Sequence, residues 1–184
     1  FDGSPMDFLP FISAFENTIG STINSPRMRL KTLMDSLGPK VKKLLRSCQM
    51  MKDPEAAYTK AIETLYRFYG SPHNITESLM RILKHGRPVN ENDVFELRDF
   101  YIAVLEAYDV MMALAERQNY QFDYVLSVSN QDTITAILKR VPFLSKPFLK
   151  RYPTPSSYLF ANFYEFCSSR LDATLDPVLQ QVLA

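Results

Sequence analysis

The sequence predicts an all-α protein, a bundle of short helices. Five prolines follow a residue of the type that caps helices: Ser4-Pro5, Ser25-Pro26, Asp53-Pro54, Ser71-Pro72 and Thr154-Pro155. Because a proline at the first helical position loses no hydrogen bond, each pair indicates a helix start. After these starts, apolar residues recur every three or four positions, which is the spacing of one face of an α-helix.

Four helices are predicted in the first part of the chain. Their apolar faces lie in residues 8–19, 28–37, 41–45 and 58–69. Proline inside a helix removes a hydrogen bond, so Pro10 moves the expected start of the first helix from Pro5 to about Leu9. Gly70 follows the fourth helix directly and predicts its end, because glycine is the usual residue there.

A fifth helix is predicted from Pro72 to Gly86, and an extended turn over 87–92 leads into the longest helix, 94–115. Its apolar residues alternate strictly between steps of three and four: Val94, Leu97, Tyr101, Val104, Tyr108, Met111 and Ala115. We call these seven residues the inner stripe. Such alternation is typical of a coiled-coil seam or of a helix buried along its length. Further apolar residues widen the stripe and favour burial within a bundle: Phe100, Ile102, Leu105 and Met112.

The remainder is also predicted to be helical, over residues 132–140, 146–151 and 155–171, with a turn at Pro142. The segment FDYVLSV, 122–128, has the composition of a strand. One isolated strand would have no pairing partner, so we predict a loop or a short helix there.

Composition places the chain among soluble globular proteins, with 46% hydrophobic residues, 22% charged residues and a formal net charge of +1. Each phosphate contact needs a Lys or Arg, so this balance argues against a protein whose main task is binding nucleic acid. Cys48 and Cys167 are too few for a disulfide framework and suit a reducing compartment. No apolar run reaches the roughly 20 residues of a membrane-spanning helix. The chain begins at Phe1 without an initiating Met, so we expect it to be an excerpt of a longer protein.

The sequence offers no catalytic signature. No two glycines lie closer than 16 residues, which is too sparse for a phosphate-binding loop. His73 and His85 are 12 residues apart and the cysteines are remote, which does not suit a zinc site. Ser, His and Asp are present without the strand-turn-helix spacing of a triad. We therefore predict that the protein is not an enzyme, with no catalytic residue, no metal site and no cofactor.

Two basic clusters are candidate contacts with RNA or with a neighbouring subunit. The first is Lys40, Lys42, Lys43 and Arg46, and the second is Lys139, Arg140, Lys146, Lys150 and Arg151. The more common role for such clusters is a solvated helix face. The 10 tyrosines and 13 phenylalanines have helical spacing, which favours a core over base stacking.

Three stretches of the first part of the chain together match a known pattern. FDGSPMDFLPFISAFENTI has an F-x-G-x-P start followed by spaced aromatics and a glutamate: Phe1, Gly3, Pro5, Phe8, Phe11, Phe15 and Glu16. This stretch resembles the opening of Gag capsid regions from LTR retrotransposons, especially the BEL/Pao group. SPRMRLKTLMDSLGPKVKKLL is similar to the next helix pair of that family. YTKAIETLYRFYGSPHNI is similar to its Y-x-x-A-x-x-x-L-x-x-x-(F/Y)-G-x-P-x-x-I motif, through Tyr58, Ala61, Leu65, Tyr69, Gly70, Pro72 and Ile75.

A later stretch, ILKHGRPVNENDVFELRDFYIAVLEA, resembles the major homology region that opens the C-terminal capsid domain of retroviruses. That region has a glycine turn, an acidic residue and an amphipathic helix with Arg and Phe. The counterparts here are His85, Gly86, Glu91, Leu97, Arg98 and Phe100, with His85 where glutamine is usual. ILKRVPFLSKPFLKRY and SSYLFANFYEFCSSRL are similar to later capsid helices of the same retroelements.

The resemblance implies a retroviral-capsid-like fold of two small helical lobes. The N-terminal lobe would span residues 1–70, and the C-terminal lobe 71–184, with the homology-like segment near 82–105. Gly70, Ser71 and Pro72 would form the joint between them. A short joint limits the rotation of one lobe against the other, which the curvature of a closed shell requires.

The resemblance further implies a structural capsid protein of a Gag polyprotein, or a host protein derived from one, that self-assembles into a shell enclosing RNA. Its partner would be itself, in a hexamer- and pentamer-type shell or as a dimer through the C-terminal lobe. RNA would be held mainly by flanking regions outside this chain. The implied location is the cytoplasm, within virus-like particles.

Two other functions remain open from the residues alone. The first is a helical adaptor whose 94–115 helix pairs with a partner helix through Tyr101 and Tyr108. The second is an RNA-binding helical domain that uses Lys42, Lys43 and Arg46, which the balanced net charge disfavours.

Overall fold

A computed structural model of the chain describes residues 1–176. Within these residues all regular structure is helical: eleven α-helices, one π-helical turn over Glu16–Gly20 and one 3-10 turn over Pro155–Ser157. The all-α prediction is therefore confirmed. The chain divides into two compact units, Phe1–Ser78 and Leu79–Ala184. The assignment of two capsid-like lobes that meet at Gly70–Pro72 stays a prediction.

Six helices begin in the first unit. They are α1 (Pro5–Phe15), α2 (Pro26–Asp35), α3 (Pro39–Leu44), α4 (Arg46–Gln49), α5 (Pro54–Tyr69) and α6 (Pro72–His85). The division between the units falls inside α6, after Ser78. Three of the predicted proline starts are confirmed, at α2, α5 and α6. Three of the starts have the expected side-chain cap, since Ser25 accepts from the amide of Met28, Asp53 from that of Glu55 and Ser71 from that of Asn74.

The predicted start of the first helix near Leu9 is wrong, because α1 begins at Pro5 and continues through Pro10. Phe8, Leu9, Ile12 and Phe15 are all buried on its inner face. Burial of an apolar side chain is worth about 1.5–3 kcal/mol, so four of them outweigh the roughly 3 kcal/mol that proline costs inside a helix.

In the core of the first unit, α5 packs against both α2 and α4. The fully buried side chains of this core include Leu33, Val41, Leu45, Ala61 and Leu65. These residues belong to the helical faces that the sequence predicts.

Five further helices follow in the part of the second unit that the structure describes, up to residue 176. They are α7 (Val94–Arg117), α8 (Tyr124–Ser127), α9 (Gln131–Leu138), α10 (Pro142–Arg151) and α11 (Phe160–Leu175). The segment 122–128 contains the short helix α8, as predicted. The predicted turn at Pro142 is wrong, since this proline is the first residue of α10 and Pro147 lies inside that helix. Thr154-Pro155 begins the 3-10 turn, and the α-helix predicted from Pro155 starts instead at Phe160.

The inner stripe of α7 packs within the second unit, where α7 lies along α11. Tyr101, Val104, Met111 and Ala115 are buried. Tyr108 is half-buried and stacks on Tyr164 of α11, with ring centroids 4.2 Å apart. The favoured prediction, burial of this helix within a bundle, is confirmed for these residues, whereas Val94 at the start of the inner stripe is 42% exposed.

Among the helices of residues 1–176, none has both the length and the apolar character that crossing a bilayer requires.

Candidate functional site

The two motifs that carry the resemblance in the first unit contact each other through aromatic rings. The ring of Phe1 stacks on Phe11 and meets the edge of Tyr69, each at a centroid distance of 5.1 Å. Phe8, at the middle of α1, meets the ring of Tyr66 edge-on, also at 5.1 Å. The opening motif and the end of α5 therefore form one aromatic cluster, and edge-on pairs of this kind stabilise beyond the area they bury.

Two glycines allow the close packing of this cluster, because they have no side chain. Gly3 has a φ of +105°, a conformation that side chains with a Cβ rarely adopt, and it lies against the ring of Tyr69. Gly70 has no room for a side chain, since a Cβ there would lie 2.8 Å from the carbonyl oxygen of Tyr66 and 3.0 Å from the ring of Phe8. The motif glycines are thus required by the fold of the first unit.

The predicted joint occupies the connection between α5 and α6. Gly70 ends α5, and Pro72 is the first residue of α6. The hydroxyl of Ser71 accepts a 3.5 Å hydrogen bond from the amide of Asn74. The three residues therefore close one helix and open the next.

In the homology-like segment, Gly86 lies directly against the guanidinium of Arg140. The Nη1 atom of Arg140 donates to the carbonyl oxygens of Ile82 at 2.7 Å and Leu83 at 2.9 Å, and its Nε donates to that of Arg87 at 3.1 Å. The first two carbonyls belong to the last turn of α6, where no amide within the helix can reach them. Arg140 therefore caps α6 from the end of α9, and a Cβ on Gly86 would overlap its guanidinium.

The side chain of Arg140 is half-buried, and its surroundings shield the guanidinium partly from solvent. Its guanidinium carbon lies 5.8 Å from the centroid of the buried Phe100 ring. Burial lowers the pKa of Arg140. Its carbonyl oxygen accepts a 3.0 Å hydrogen bond from the amide of Val89, so side chain and backbone together hold the extended turn.

The other homology-like residues are dispersed around this turn. His85 and Glu91 are exposed, and Leu97 is half-buried. The carboxylate that binds the turn is that of Glu96, which the sequence reasoning did not single out. Its Oε2 accepts from the amide of Asn90 at 3.0 Å, and its Oε1 lies 3.9 Å from Arg87. The sequence signal for this role of Glu96 is its position, in the first turn of a predicted helix and six residues after Asn90.

Arg98 is anchored at the far end of the unit. Its Nε donates to the hydroxyl of Thr174 at 3.3 Å, and an Nη donates to the carbonyl oxygen of the same residue, at the end of α11. Arg98 and Arg140 therefore each bind the last turn of another helix, and in both cases the acceptors are uncharged.

The first basic cluster lies on the surface of the first unit. Lys40, Lys43 and Arg46 are exposed, and Lys42 is half-buried. Lys42, Lys43 and Arg46 line a depression of about 360 Å³ together with Asp35. The structure thus brings these cations together on one surface around the short helices α3 and α4.

One member of the second basic cluster, Arg140, is half-buried and serves as a helix cap. Arg140 caps α6, whereas Lys139, Lys146, Lys150 and Arg151 are exposed. Arg151 lies over the ring of Tyr152 at 5.5 Å. The cations that solvent reaches are therefore those of α10 and Lys139.

Groups with catalytic or ligating chemistry are dispersed. Cys48 and Cys167 are buried free thiols, and burial raises the pKa of Cys167. His73 is exposed and lies 3.9 Å from Glu77 one turn later. Within residues 1–176, no group of three or more His, Cys, Asp or Glu side chains is placed to hold a metal ion.

The helix α7 also exposes apolar side chains on the face opposite its core. Phe95 is 76% exposed, Ile102 45% and Met112 36%, and Leu105 between them is half-buried. The sequence predicts that Ile102, Leu105 and Met112 widen the buried stripe, and for Ile102 and Met112 this prediction is wrong. Their positions on α7 instead form a second, outward-facing band.

Comparison with known proteins gives no relative. No protein-family model matches the chain, and neither the curated proteins nor the solved structures contain a match to it.

Proposed function

We propose that this chain is the capsid region of a Gag polyprotein from an LTR retroelement of BEL/Pao type, or of a host protein derived from one. In this proposal its task is structural: copies of the chain associate into a shell that encloses RNA. Such particles would form in the cytoplasm.

One observation carries the proposal. The residues that resemble the Gag opening motif and those that resemble the later Y…G-x-P motif lie far apart in sequence, yet they pack as one aromatic cluster. Phe8 contacts Tyr66 and approaches Gly70, and Phe1 contacts Tyr69. The packing of these two stretches against each other supports the proposal, because both carry the resemblance to one family pattern.

The described surface suits a structural role better than the adaptor role. The adaptor hypothesis uses Tyr101 and Tyr108, but Tyr101 is 3% exposed and Tyr108 is stacked on Tyr164. A partner helix could reach these residues only if α7 left the core of the second unit.

RNA in the particle would be bound chiefly by regions that flank this chain. The formal net charge is only +1, and the second basic cluster contributes Arg140 to a helix cap. A shell wall whose 21 Lys and Arg are balanced by 20 Asp and Glu leaves counterion release, the main source of affinity for nucleic acid, to other segments.

The test is assembly of the chain with its native flanking sequence restored. Negative-stain electron microscopy and light scattering over a range of concentration and salt should show closed particles or rings, with and without RNA. Weak individual contacts suffice, because many repeated contacts supply avidity. A monomer at every concentration and salt would contradict the proposal.

A further inference from the structure

Two depressions on the first unit join beside α2. One, of about 430 Å³, lies where α2 meets α4 and α5, and the other, of about 360 Å³, lies between α2 and the short helices α3 and α4. Met34, Asp35 and Gln49 line both, so the two depressions are continuous. We call them together the basic trough. It follows α2 from Arg27 to Asp35, a length of about 12 Å at the helical rise of about 1.5 Å per residue.

The floor of the basic trough is aliphatic. Leu30, Met34, Cys48 and Ala57 are buried there, and Met51 is half-buried. Among the described residues that line the trough, none is aromatic. Proteins that stack nucleic-acid bases do so chiefly on aromatic rings, whereas grooves of aliphatic and methionine side chains accept the apolar face of a helix. The floor therefore suits a peptide helix better than it suits RNA.

The rim of the basic trough carries positive charge on both sides. Its cations are Arg27 and Lys31 on α2, Lys42 and Lys43 on α3, and Arg46 on α4. Asp35 is the one carboxylate among the described residues that line the trough. Within residues 1–176 none of these five cations forms an ion pair. Because like charges repel one another, an anionic partner along both edges relieves this repulsion.

We propose that the basic trough binds an acidic amphipathic helix of a partner protein. The apolar face of the partner helix packs on the aliphatic floor, and Asp and Glu on its two flanks meet the two cationic edges. A fatty acid carries one anionic group at one end, so it leaves most of the five cations unpaired. This binding activity goes beyond the proposed structural role and does not depend on it.

The first experiment measures binding of a synthetic probe to the whole chain by fluorescence anisotropy. The probe is a labelled peptide of about 15 residues, long enough to form a helix, with leucines at alternating steps of three and four and glutamates on both flanks of that stripe. A scrambled peptide of identical composition has no apolar face and should bind at least about tenfold more weakly. Absence of binding by the striped peptide, or equal binding by the scrambled one, would overturn the proposal.

The second experiment reverses one cation on each edge of the trough. Lys31→Glu combined with Arg46→Glu should raise the dissociation constant of the striped peptide by at least about tenfold at low salt, where exposed charges are least screened. The matched control combines Lys60→Glu and Arg67→Glu, two exposed residues of α5 outside the lining of the trough. Both double variants change the net charge equally, and circular dichroism shows whether both are folded. Equal losses in the two would show attraction to net charge without a site and would contradict the proposal.

The third experiment tests the floor with two neighbouring methionines. Met51 lines the trough, whereas Met50 is 80% exposed and does not line it. Met51→Asp should weaken binding of the striped peptide at least about tenfold, because a carboxylate buried under an apolar face without a partner is costly. Met50→Asp adds the same charge next to it and should have a much smaller effect. If the two substitutions had equal effects, the peptide would not pack on the floor.

Competition with RNA separates the two kinds of macromolecule. We expect a single-stranded oligonucleotide to displace the striped peptide only weakly. If the oligonucleotide displaced it efficiently, and if Lys31→Glu with Arg46→Glu removed RNA binding while the control variant kept it, the basic trough would be an RNA site and the peptide proposal would be wrong.

Discussion

At the scale of single residues, Arg140 shows how a surface cation becomes a structural one. Its sequence neighbours Lys139 and Val141 are exposed and fully buried respectively, and Arg140 lies between these extremes. Three carbonyl acceptors and the missing side chain at Gly86 hold its guanidinium in place. We therefore expect substitution of Arg140 to affect the stability of the fold more than the binding of a partner.

We expect Arg140→Ala to lower the free energy of unfolding by about 1–3 kcal/mol, because carbonyls at the end of α6 lose a charged donor. Lys139→Ala removes the same charge from an exposed position one residue earlier. It should change the free energy of unfolding by no more than about 0.5 kcal/mol. Urea denaturation followed by circular dichroism measures both. Equal effects of the two substitutions would show that the guanidinium does not cap the helix.

At the scale of the helices, the sequence predicts starts better than long-range contacts. Proline and a capping side chain act on the first turn alone, so the starts of α2, α5 and α6 follow from two residues each. The errors at Pro10 and Pro142 have a different origin. Whether a helix tolerates a proline, or begins at one that lacks a polar residue before it, depends on the apolar face that the tertiary fold buries.

The candidate site was less predictable than the helices for the same reason. The homology-like segment was located near 82–105, and Phe100 and Gly86 do lie at its turn. Arg140 caps that turn from 58 positions beyond Ile82, and no local pattern connects the two. The outward-facing band of α7 was visible in the spacing, yet spacing alone does not tell a wide buried face from two separate faces.

The buried tyrosine of α7 gives a prediction about pH. Burial, with a smaller contribution from Cys167, raises the pKa of Tyr101 from 10.0 to about 12. Between these values the unfolded chain has lost a proton that the folded chain keeps, so stability is complete below about pH 10 and falls as the pH rises. In the wild type, this should lower the free energy of unfolding by about 2–3 kcal/mol at high pH. We expect Tyr101→Phe to lack this decrease.

Urea denaturation between about pH 9 and pH 12 measures the effect as a difference between variant and wild type. Tyr120→Phe is the control, because Tyr120 is 65% exposed. Its profile should follow that of the wild type. If Tyr101→Phe also followed the wild-type profile, the phenol of Tyr101 would not be buried as the structure places it.

At the scale of the whole molecule, charge is spread in small clusters on a nearly neutral chain. We expect this chain alone to bind single-stranded RNA weakly, in proportion to its total charge and not through one cluster. Lys42→Glu, Lys43→Glu and Arg46→Glu in combination should weaken binding as much as Lys52→Glu, Lys60→Glu and Arg67→Glu. Both triple variants change the charge equally within the first unit, and the residues of the second set are exposed.

Fluorescence anisotropy with a labelled oligonucleotide, at several salt concentrations, compares the two triple variants. A loss confined to the variant at residues 42, 43 and 46 would identify the depression beside α3 and α4 as an RNA contact. The proposal that flanking regions hold the RNA would then need to share that role with this surface.

The cap that Arg140 places on α6 has a consequence for synthesis on the ribosome. Ile82 and Arg140 are separated by 58 residues. At about 5–20 residues per second, the arginine is added roughly 3 to 12 seconds after the carbonyls it will bind. During that interval the last turn of α6 in the nascent chain must rely on water for those hydrogen bonds, so this turn can reach its final form only late in translation.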